Sequence, residues 1–388
     1  MSNDEPKQLE TPVDAAGNSS GQPFLVALLV ASVVASVTFF GSREWLPDDV
    51  ISPAAMPSPP SVAVSGVASV EPENRIVERA AFFDHEVEPE IEKTDQLNRE
   101  AAERCISRLK GQVRLYRQQV EPFVEDLTSL STRFGIISRM PGGWWSEDGR
   151  VEEFVAGKFE KHLFSEQRLL DDIAGILEQF RTEVDANQNR MLVNVKSCLD
   201  AADLPEVEVD EYDKFYRSVA QELSKYSAKQ GSTSVYNALT VLVMSEAGSY
   251  AAVSLVSGLL VRFGAMAATT AATAGGVTAG ASATGAGGGS LAGPVGTAVG
   301  LGVGLVIGLA IDWWMTEEFE EEMSLQLNEY LGSLEGAILY GSKRGVSDPD
   351  SKVVQGGVAD ALPMVCQQLE MAYREKFYEQ IVTVEMVE

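Results

Sequence analysis

Ile106-Ser-Arg-Leu109-Lys-Gly-Gln-Val113-Arg-Leu-Tyr116-Arg-Gln-Gln-Val120-Glu-Pro-Phe123-Val-Glu-Asp-Leu127-Thr-Ser-Leu130-Ser-Thr-Arg-Phe134-Gly-Ile-Ile137 is the stretch that decides the fold class. Its apolar positions recur at alternating gaps of three and four residues. Strands place apolar residues at every second position, so this spacing excludes a sheet and predicts a long helix with one packing seam. Pro122 lies off the seam. It lacks an N–H and crowds the preceding turn, so the pattern predicts a kink there or a restart near Glu121. Pro141-Gly142-Gly143 ends the helix, and Trp144-Trp145 follows at the turn.

The next helix begins after Gly149. Its stripe reads Leu169, Ile173, Ile176, Phe180, Val184, Asn187, Met191, Val195, Cys198, Ala202, with gaps of 4, 3 and 4 repeated. That is an 11-residue period, closer to a straight helix than a heptad is. Asn187 is its one polar member. It reads either as a buried register-setting residue or as a partly exposed rim position. A third helix is expected near 210–228, with Tyr212, Phe215, Tyr216, Val219, Leu223 and Tyr226 on one side. The short connection at 141–149 should fold the first two helices antiparallel. Residues 90–230 are therefore expected to be an elongated, all-α helical hairpin or bundle.

Working outward, residues 1–23 read as a disordered acidic N-terminus. No charge occurs between Asp14 and Arg43. Within that gap Phe24–Phe40 is an apolar run of 17 residues, about 26 Å as a helix and close to the hydrocarbon thickness of a bilayer. A cleaved secretory signal is the rival reading. It wants a basic n-region, whereas Asp4, Glu5, Glu10 and Asp14 outnumber Lys7. Residues 24–42 are expected to be an uncleaved transmembrane anchor, with Trp45 at the membrane interface. Residues 43–89 read as a Pro/Ser/Ala-rich tether. At the other end, 312–388 read as acidic amphipathic helices. One stripe is Met315, Phe319, Met323, Leu327, Leu331, Leu334 and Ile338. The last includes Met364, Val365, Leu369, Tyr373, Phe377 and Ile381, with Asp350-Ser351 as its N-cap pair.

Residues 231–311 differ from everything around them. They hold one acid, Glu246, and one base, Arg262. Gly296, Gly300, Gly304 and Gly308 recur every four residues, a small-xxx-small face that lets another helix approach closely. In water the six glycines of 293–311 would cost a helix about 6 kcal/mol relative to alanine. Bilayer insertion with close packing offsets that most simply, so 231–311 is expected to be an apolar Gly/Ala-rich membrane hairpin with Trp313 and Trp314 at the interface. The other reading is a buried helix in a soluble bundle. Two insertions within 235–311 leave the flanking regions on one side of the membrane, and three put them on opposite sides. Glu246, if it lies mid-bilayer, is a candidate intramembrane polar site. The Gly run at 285–289 has no Lys in phosphate-loop spacing, so that reading is rejected.

The segment Gly293-Pro-Val-Gly-Thr-Ala-Val-Gly300, running into further glycine repeats and Asp312-Trp313, resembles uncharacterised bacterial membrane-anchored proteins over about residues 291–320. The resemblance implies a bacterial envelope setting. It brings no activity and no catalytic residue.

Composition narrows function further. With 57 acids, 30 bases and a formal charge of −27, the chain lacks the clustered cations that nucleic-acid binding requires. Cys105, Cys198 and Cys366 are far apart and form no CxxC pair, so a structural zinc site is not expected. A Cys105–Cys198 bridge would need an oxidising compartment; small apolar residues in helix interfaces fit better. The acid cluster Glu317–Glu322 reads as a solvated helix face and not a cation site. His85 and His162 have no partners at ligand spacing, and no GxSxG nucleophile motif occurs. The expectation is thus a non-enzymatic protein without catalytic residues, metal or cofactor. It would sit in a bacterial inner membrane, with the bilayer, further copies of itself and a protein bound by the helical domain as partners. The alternative is a pore-forming or membrane-perturbing protein using the 235–311 hairpin.

Overall fold

A computed structural model describes residues 72–138, 150–202, 204, 207, 209–230, 235–245, 248–273, 300–307, 319–341 and 356–383. All of them belong to one compact unit, residues 69–388. Among the described residues every regular element is helical. In chain order these are α1 (Pro72–Phe82), a π-helical turn (Phe83–Val87), α2 (Glu88–Gln118), α3 (Val120–Thr128), α4 (Leu130–Ile137), α5 (Arg150–His162), α6 (Glu166–Ala201), α7 (Tyr212–Gln230), α8 (Val235–Met244), α9 (Gly248–Thr273), the helical residues 300–307, α10 (Phe319–Tyr340) and α11 (Val358–Ile381).

The expected hairpin is α2 against α6. Cross-helix bonds fix its direction: Asn194 Nδ2 donates to Glu90 Oε2 at 2.7 Å, Asn187 Nδ2 to Asn98 Oδ1 at 3.0 Å, Arg108 Nη1 to Glu183 Oε1 at 2.8 Å, and Tyr116 Oη to Asp172 Oδ2 at 2.7 Å. One number rises as the other falls, so the helices run antiparallel. Helix α11 lies along α2, also antiparallel to it. Arg374 Nε donates to Glu88 Oε1 at 2.9 Å and Arg99 Nη2 pairs with Glu370 at 3.5 Å. Phe377 packs against Phe215 of α7 with the rings tilted and 4.6 Å between centroids.

Three expectations change. The seam holds from Leu109 to Leu127, but Leu130 and Phe134 are 74% and 69% exposed. The cause is Ser129, whose extended backbone (ψ 146°) ends α3. Its Oγ accepts from Thr132 N at 3.3 Å and starts α4 in a new direction, with Thr132 and Ile136 inward. The helix after Gly149 is two helices, α5 and α6, separated by Leu163-Phe164-Ser165. Ser165 caps α6 by accepting from Arg168 N at 3.2 Å. Finally, Pro72 opens a helix inside the stretch read as a tether over 43–89, so its last part is α1 and the π-turn. Pro72 suits a first helical turn, where its missing N–H costs nothing. The break near Pro122 falls at Gln119, and α3 restarts at Val120.

Toward the C-terminus, Phe319, Met323, Leu327, Leu331, Leu334 and Ile338 are buried as their stripe requires. Helix α11 begins at Val358, with Gly357 as its N-cap. Asp350-Ser351 lies outside the described residues. Val365, Leu369, Tyr373, Phe377 and Ile381 face the core of α11, whereas Met364 faces solvent.

Candidate functional site: the apolar helices and their clamps

The described part of 231–311 is packed within the bundle. Helix α8 has ten residues, too few for a bilayer span, and buries Val235, Tyr236, Leu239, Leu242 and Val243. Helix α9 buries Ala252, Leu255, Val256, Leu259, Leu260 and Phe263. Among the described residues no helix is long and apolar enough to cross a membrane. The apolar surface of α8 and α9 is buried here against the chain's own helices.

The glycine helix shows how. Over residues 300–307, Leu301, Gly302, Val303, Gly304 and Val306 are buried, and Gly300, Leu305 and Ile307 are half-buried. A helix buried nearly all round needs no polar face. A close approach falls at Gly302, between the every-fourth-residue glycines Gly300 and Gly304. A Cβ there would lie 2.6 Å from Phe159 Cζ, 2.8 Å from Phe159 Cε2 and 3.3 Å from Tyr330 Cε1. Phe159 belongs to α5 and Tyr330 to α10. Tyr330 also meets Phe263 of α9 at 5.8 Å between ring centroids. Burial pushes its hydroxyl well above the usual tyrosine range. Gly302 therefore seats the glycine helix between α5 and α10.

Two polar clamps hold this assembly. The first fixes α5. Asp126 of α3 accepts from Lys158 Nζ at 2.8 Å and from His162 Nε2 at 2.7 Å, and Lys161 Nζ stands 3.6 Å away. The Lys158 hydrogen bond, with help from His162, holds the Asp126 carboxyl down at about 2. The second fixes the α8–α9 turn. Tyr216 Oη of α7 donates to Val243 O at 2.8 Å, and Arg181 Nη1 of α6 reaches Ser245 O at 3.5 Å. Both serve carbonyls at the C-terminal end of α8, which lack partners inside the helix. Gly248 passes so close to the Arg181 and Glu178 side chains that a larger residue there would have to displace them. Arg181 is itself held by Glu178 at 2.8 Å.

Of the residues singled out from sequence, Gly300 and Gly304 lie in the buried helix just described. Gly296, Gly308, Glu246, Trp45, Trp313 and Trp314 lie outside the described residues, as does the anchor over 24–42. Asn187 is 9% exposed and pairs with Asn98, which places it on the buried side of its two readings. His162 belongs to the α5 clamp, and His85 is exposed in the π-turn. Sequence reasoning missed Gly302, Phe159, Asp126 and Arg181. No periodicity points to Gly302, but Lys158 and His162 at i and i+4 mark one cationic face on α5 that wants a carboxylate.

Elsewhere, an open cleft of about 830 Å3 runs between the π-turn, α7 and α11, with Phe83, Tyr226, Met371 and Tyr378 in its wall. Its cations are already engaged: Arg374 with Glu88, Lys225 with Glu222, and Lys376 with Glu379. Among the described residues no group of three or more His, Cys, Asp or Glu side chains is arranged to hold a metal ion. Comparison of the chain with protein-family models, with curated proteins and with solved structures finds no match in any of the three.

Proposed function

We propose that this is a non-enzymatic, membrane-anchored helical protein of a bacterial inner membrane. Residues 24–42 would hold it in the bilayer, and the α2–α6–α11 bundle would present charged helix faces to a protein partner. The glycine-rich helix would serve helix association. The observation that carries this last point is the fit of Gly302 beneath Phe159 and Tyr330, which uses the missing side chain to bring three helices together. In this reading the first association made by the glycine helix is within one chain, and self-association of copies is a further step. Alkaline carbonate extraction of cell membranes tests the anchor. The full chain should stay with the pellet and a chain lacking 24–42 should not; full release of the intact chain refutes the proposal.

A second reading, a pore-forming or membrane-perturbing protein, is favoured by one observation. The apolar helices α8 and α9 are folded onto charged helices and latched at their turn by Tyr216 and Arg181. That is the arrangement expected of a membrane-active hairpin stored out of contact with lipid. Ion conductance in liposomes separates the two readings, with Gly300→Leu and Gly304→Leu as controls. Conductance lost in both variants supports the pore, and intact vesicles at every protein concentration refute it.

A further inference from the structure

We propose that the cleft between the π-turn, α7 and α11 docks an arginine-bearing segment of a partner protein, an inference that rests on the reading of this bundle as a partner-binding domain. The cleft has an aromatic wall. Along α11, Met371, Glu375 and Tyr378 follow at gaps of four and three, are all exposed, and all line the cleft, while Tyr373 and Phe377 of the same helix face the core. The Tyr378 ring is held by Phe83 of the π-turn, edge-on at 5.4 Å between centroids. π turns are uncommon and recur at functional sites. Here the turn buries Phe83 and leaves its neighbour Asp84 exposed on the cleft. From α7, the Tyr226 hydroxyl donates to Glu375 Oε2 at 3.4 Å.

The charges select the occupant. Asp84, Glu88, Glu375 and Glu379 line the cleft against three cations, Lys225, Arg374 and Lys376. Two further carboxylates reach these cations: Glu222 lies 2.6 Å from Lys225, and Glu370 lies 3.1 Å from Arg374. Lys376 is 2.7 Å from Glu379, and Arg374 also pairs with Glu88. Every cation is thus taken, while among the described residues Asp84 and Glu375 have no cation at ion-pair distance. The local field is negative. Burial raises the Tyr226 hydroxyl above its usual range, and Glu375 and Glu222 raise it further. An anionic ligand finds no free positive charge here, and a neutral one leaves two carboxylates unused. A guanidinium meets both demands, because its flat face stacks on a tyrosine ring while its N–H fork takes a carboxylate. The volume of about 830 Å3 exceeds a single side chain and suits a short segment, which the open mouth admits from outside. The net charge of −27 draws such a basic segment in.

The test uses the full chain in a neutral detergent and fluorescein-labelled alanine–glycine peptides that carry arginine, lysine or glutamate, read by fluorescence anisotropy. The arginine peptide should bind at least about threefold tighter than the lysine peptide, and the glutamate peptide should not bind. Asp84→Asn with Glu375→Gln should weaken the arginine peptide about tenfold. Tyr378→Leu should remove its advantage over lysine while helix content stays unchanged. Glu103→Gln with Glu121→Gln removes the same charge from exposed positions on α2 and α3 outside the cleft, and should change nothing. Equal weakening by the two double variants overturns the proposal, because the net charge of the chain then explains the binding. So does equal affinity for arginine and lysine peptides, or binding of neither. So does self-association of the chain that Asp84→Asn with Glu375→Gln abolishes, because a second copy then fills the cleft. A chain that stays in the carbonate pellet but binds no arginine peptide refutes this site alone. A chain released from the pellet refutes the anchored reading, and the peptide measurement still decides the cleft.

Discussion

Gly302→Ala puts the packing of the glycine helix to a quantitative test. The added Cβ would sit 2.6 and 2.8 Å from two atoms of the Phe159 ring, well inside the 3.5–4.0 Å at which carbon atoms attract. Phe159 has little room to yield. It is fully buried, with Phe123 at 5.9 Å and Phe164 at 5.4 Å between centroids, both edge-on. Overpacking of this kind costs about 1–3 kcal/mol. Alanine in place of glycine returns about 1 kcal/mol of helix propensity, so the net effect is a loss of roughly 1 kcal/mol. Gly111 and Gly175 supply the contrast, since a Cβ at either meets nothing within 4 Å. Gly111→Ala and Gly175→Ala should therefore stabilise by up to about 1 kcal/mol. Urea denaturation followed by circular dichroism reads all three. Phe159→Leu completes the comparison: it should cost less in the Gly302→Ala background than alone, a coupling of about 1 kcal/mol. If Gly302→Ala raises the midpoint as Gly175→Ala does, and shows no coupling to Phe159→Leu, the glycine helix does not lie under α5 and the packing argument fails.

The α5 clamp has a pH signature. The Asp126 carboxyl titrates at about 2 against an ordinary 3.8, so its contribution is complete above pH 4 and is lost as pH falls through 2. Asp126→Asn should lower stability at pH 7 by about 1 kcal/mol, discounted for its partial exposure, and should flatten the acid limb between pH 4 and 2. An unchanged acid limb in thermal melts would count against the clamp. The buried Asn98–Asn187 pair predicts non-additivity. Either Asn→Leu change alone strands the other amide at a cost of about 1–3 kcal/mol, whereas both together should be nearly neutral; additive losses would show that the pair is not a unit. Burial pushes the Cys105 and Cys366 thiols up to about 12. One thiol per native chain, the half-buried Cys198, should react with a maleimide at pH 8, against three in denaturant. Three fast-reacting native thiols would contradict the burial of α2 against α11.

The long helices were legible because their period is set by burial, and burial is what the sequence encodes most directly. Leu109 to Leu127 and Leu169 to Val195 each name a buried face within a residue or so. What the seam could not carry was a change of direction without a change of period. Ser129 ends α3 and caps α4 while Leu130 and Phe134 keep the spacing, so two exposed residues read as buried. The Ser129-Leu-Ser-Thr132 run was the available signal, since a serine before a fresh apolar turn is a helix start. Asp126 with Lys158 and His162, and Arg181 with Ser245, were illegible for another reason. Each joins helices whose relative rotation no single stripe determines. The same holds for Asn98, whose pairing with Asn187 needs the antiparallel register of α2 and α6.

The glycine helix has two physical homes that its sequence alone does not separate, for reasons that are themselves informative. A run such as Gly300-Leu-Gly-Val-Gly-Leu-Val-Ile307 is selected for an absence of water and for close backbone approach, and a bilayer and a protein interior supply both. Every-fourth-residue spacing therefore names a solvent class, not a location. The difference lies in which glycine is indispensable. Packing against an identical helix in lipid would place the demand on Gly300 and Gly304 together, as one groove. Packing under a ring of the same chain places it on Gly302, on the opposite side of the axis, where Phe159 leaves no room for a Cβ. If the helix also works in a membrane, it must first leave Phe159, and α5 must release with it. Opening would then run through the Asp126 clamp, so Asp126→Asn should favour whatever membrane-bound form exists. Vesicle binding or conductance should rise in that variant, whereas Gly302→Ala, which pushes the helix and α5 apart, should raise them by the same route. An effect of Gly302→Ala that survives unchanged when Phe159 is replaced by alanine would separate membrane action from this contact.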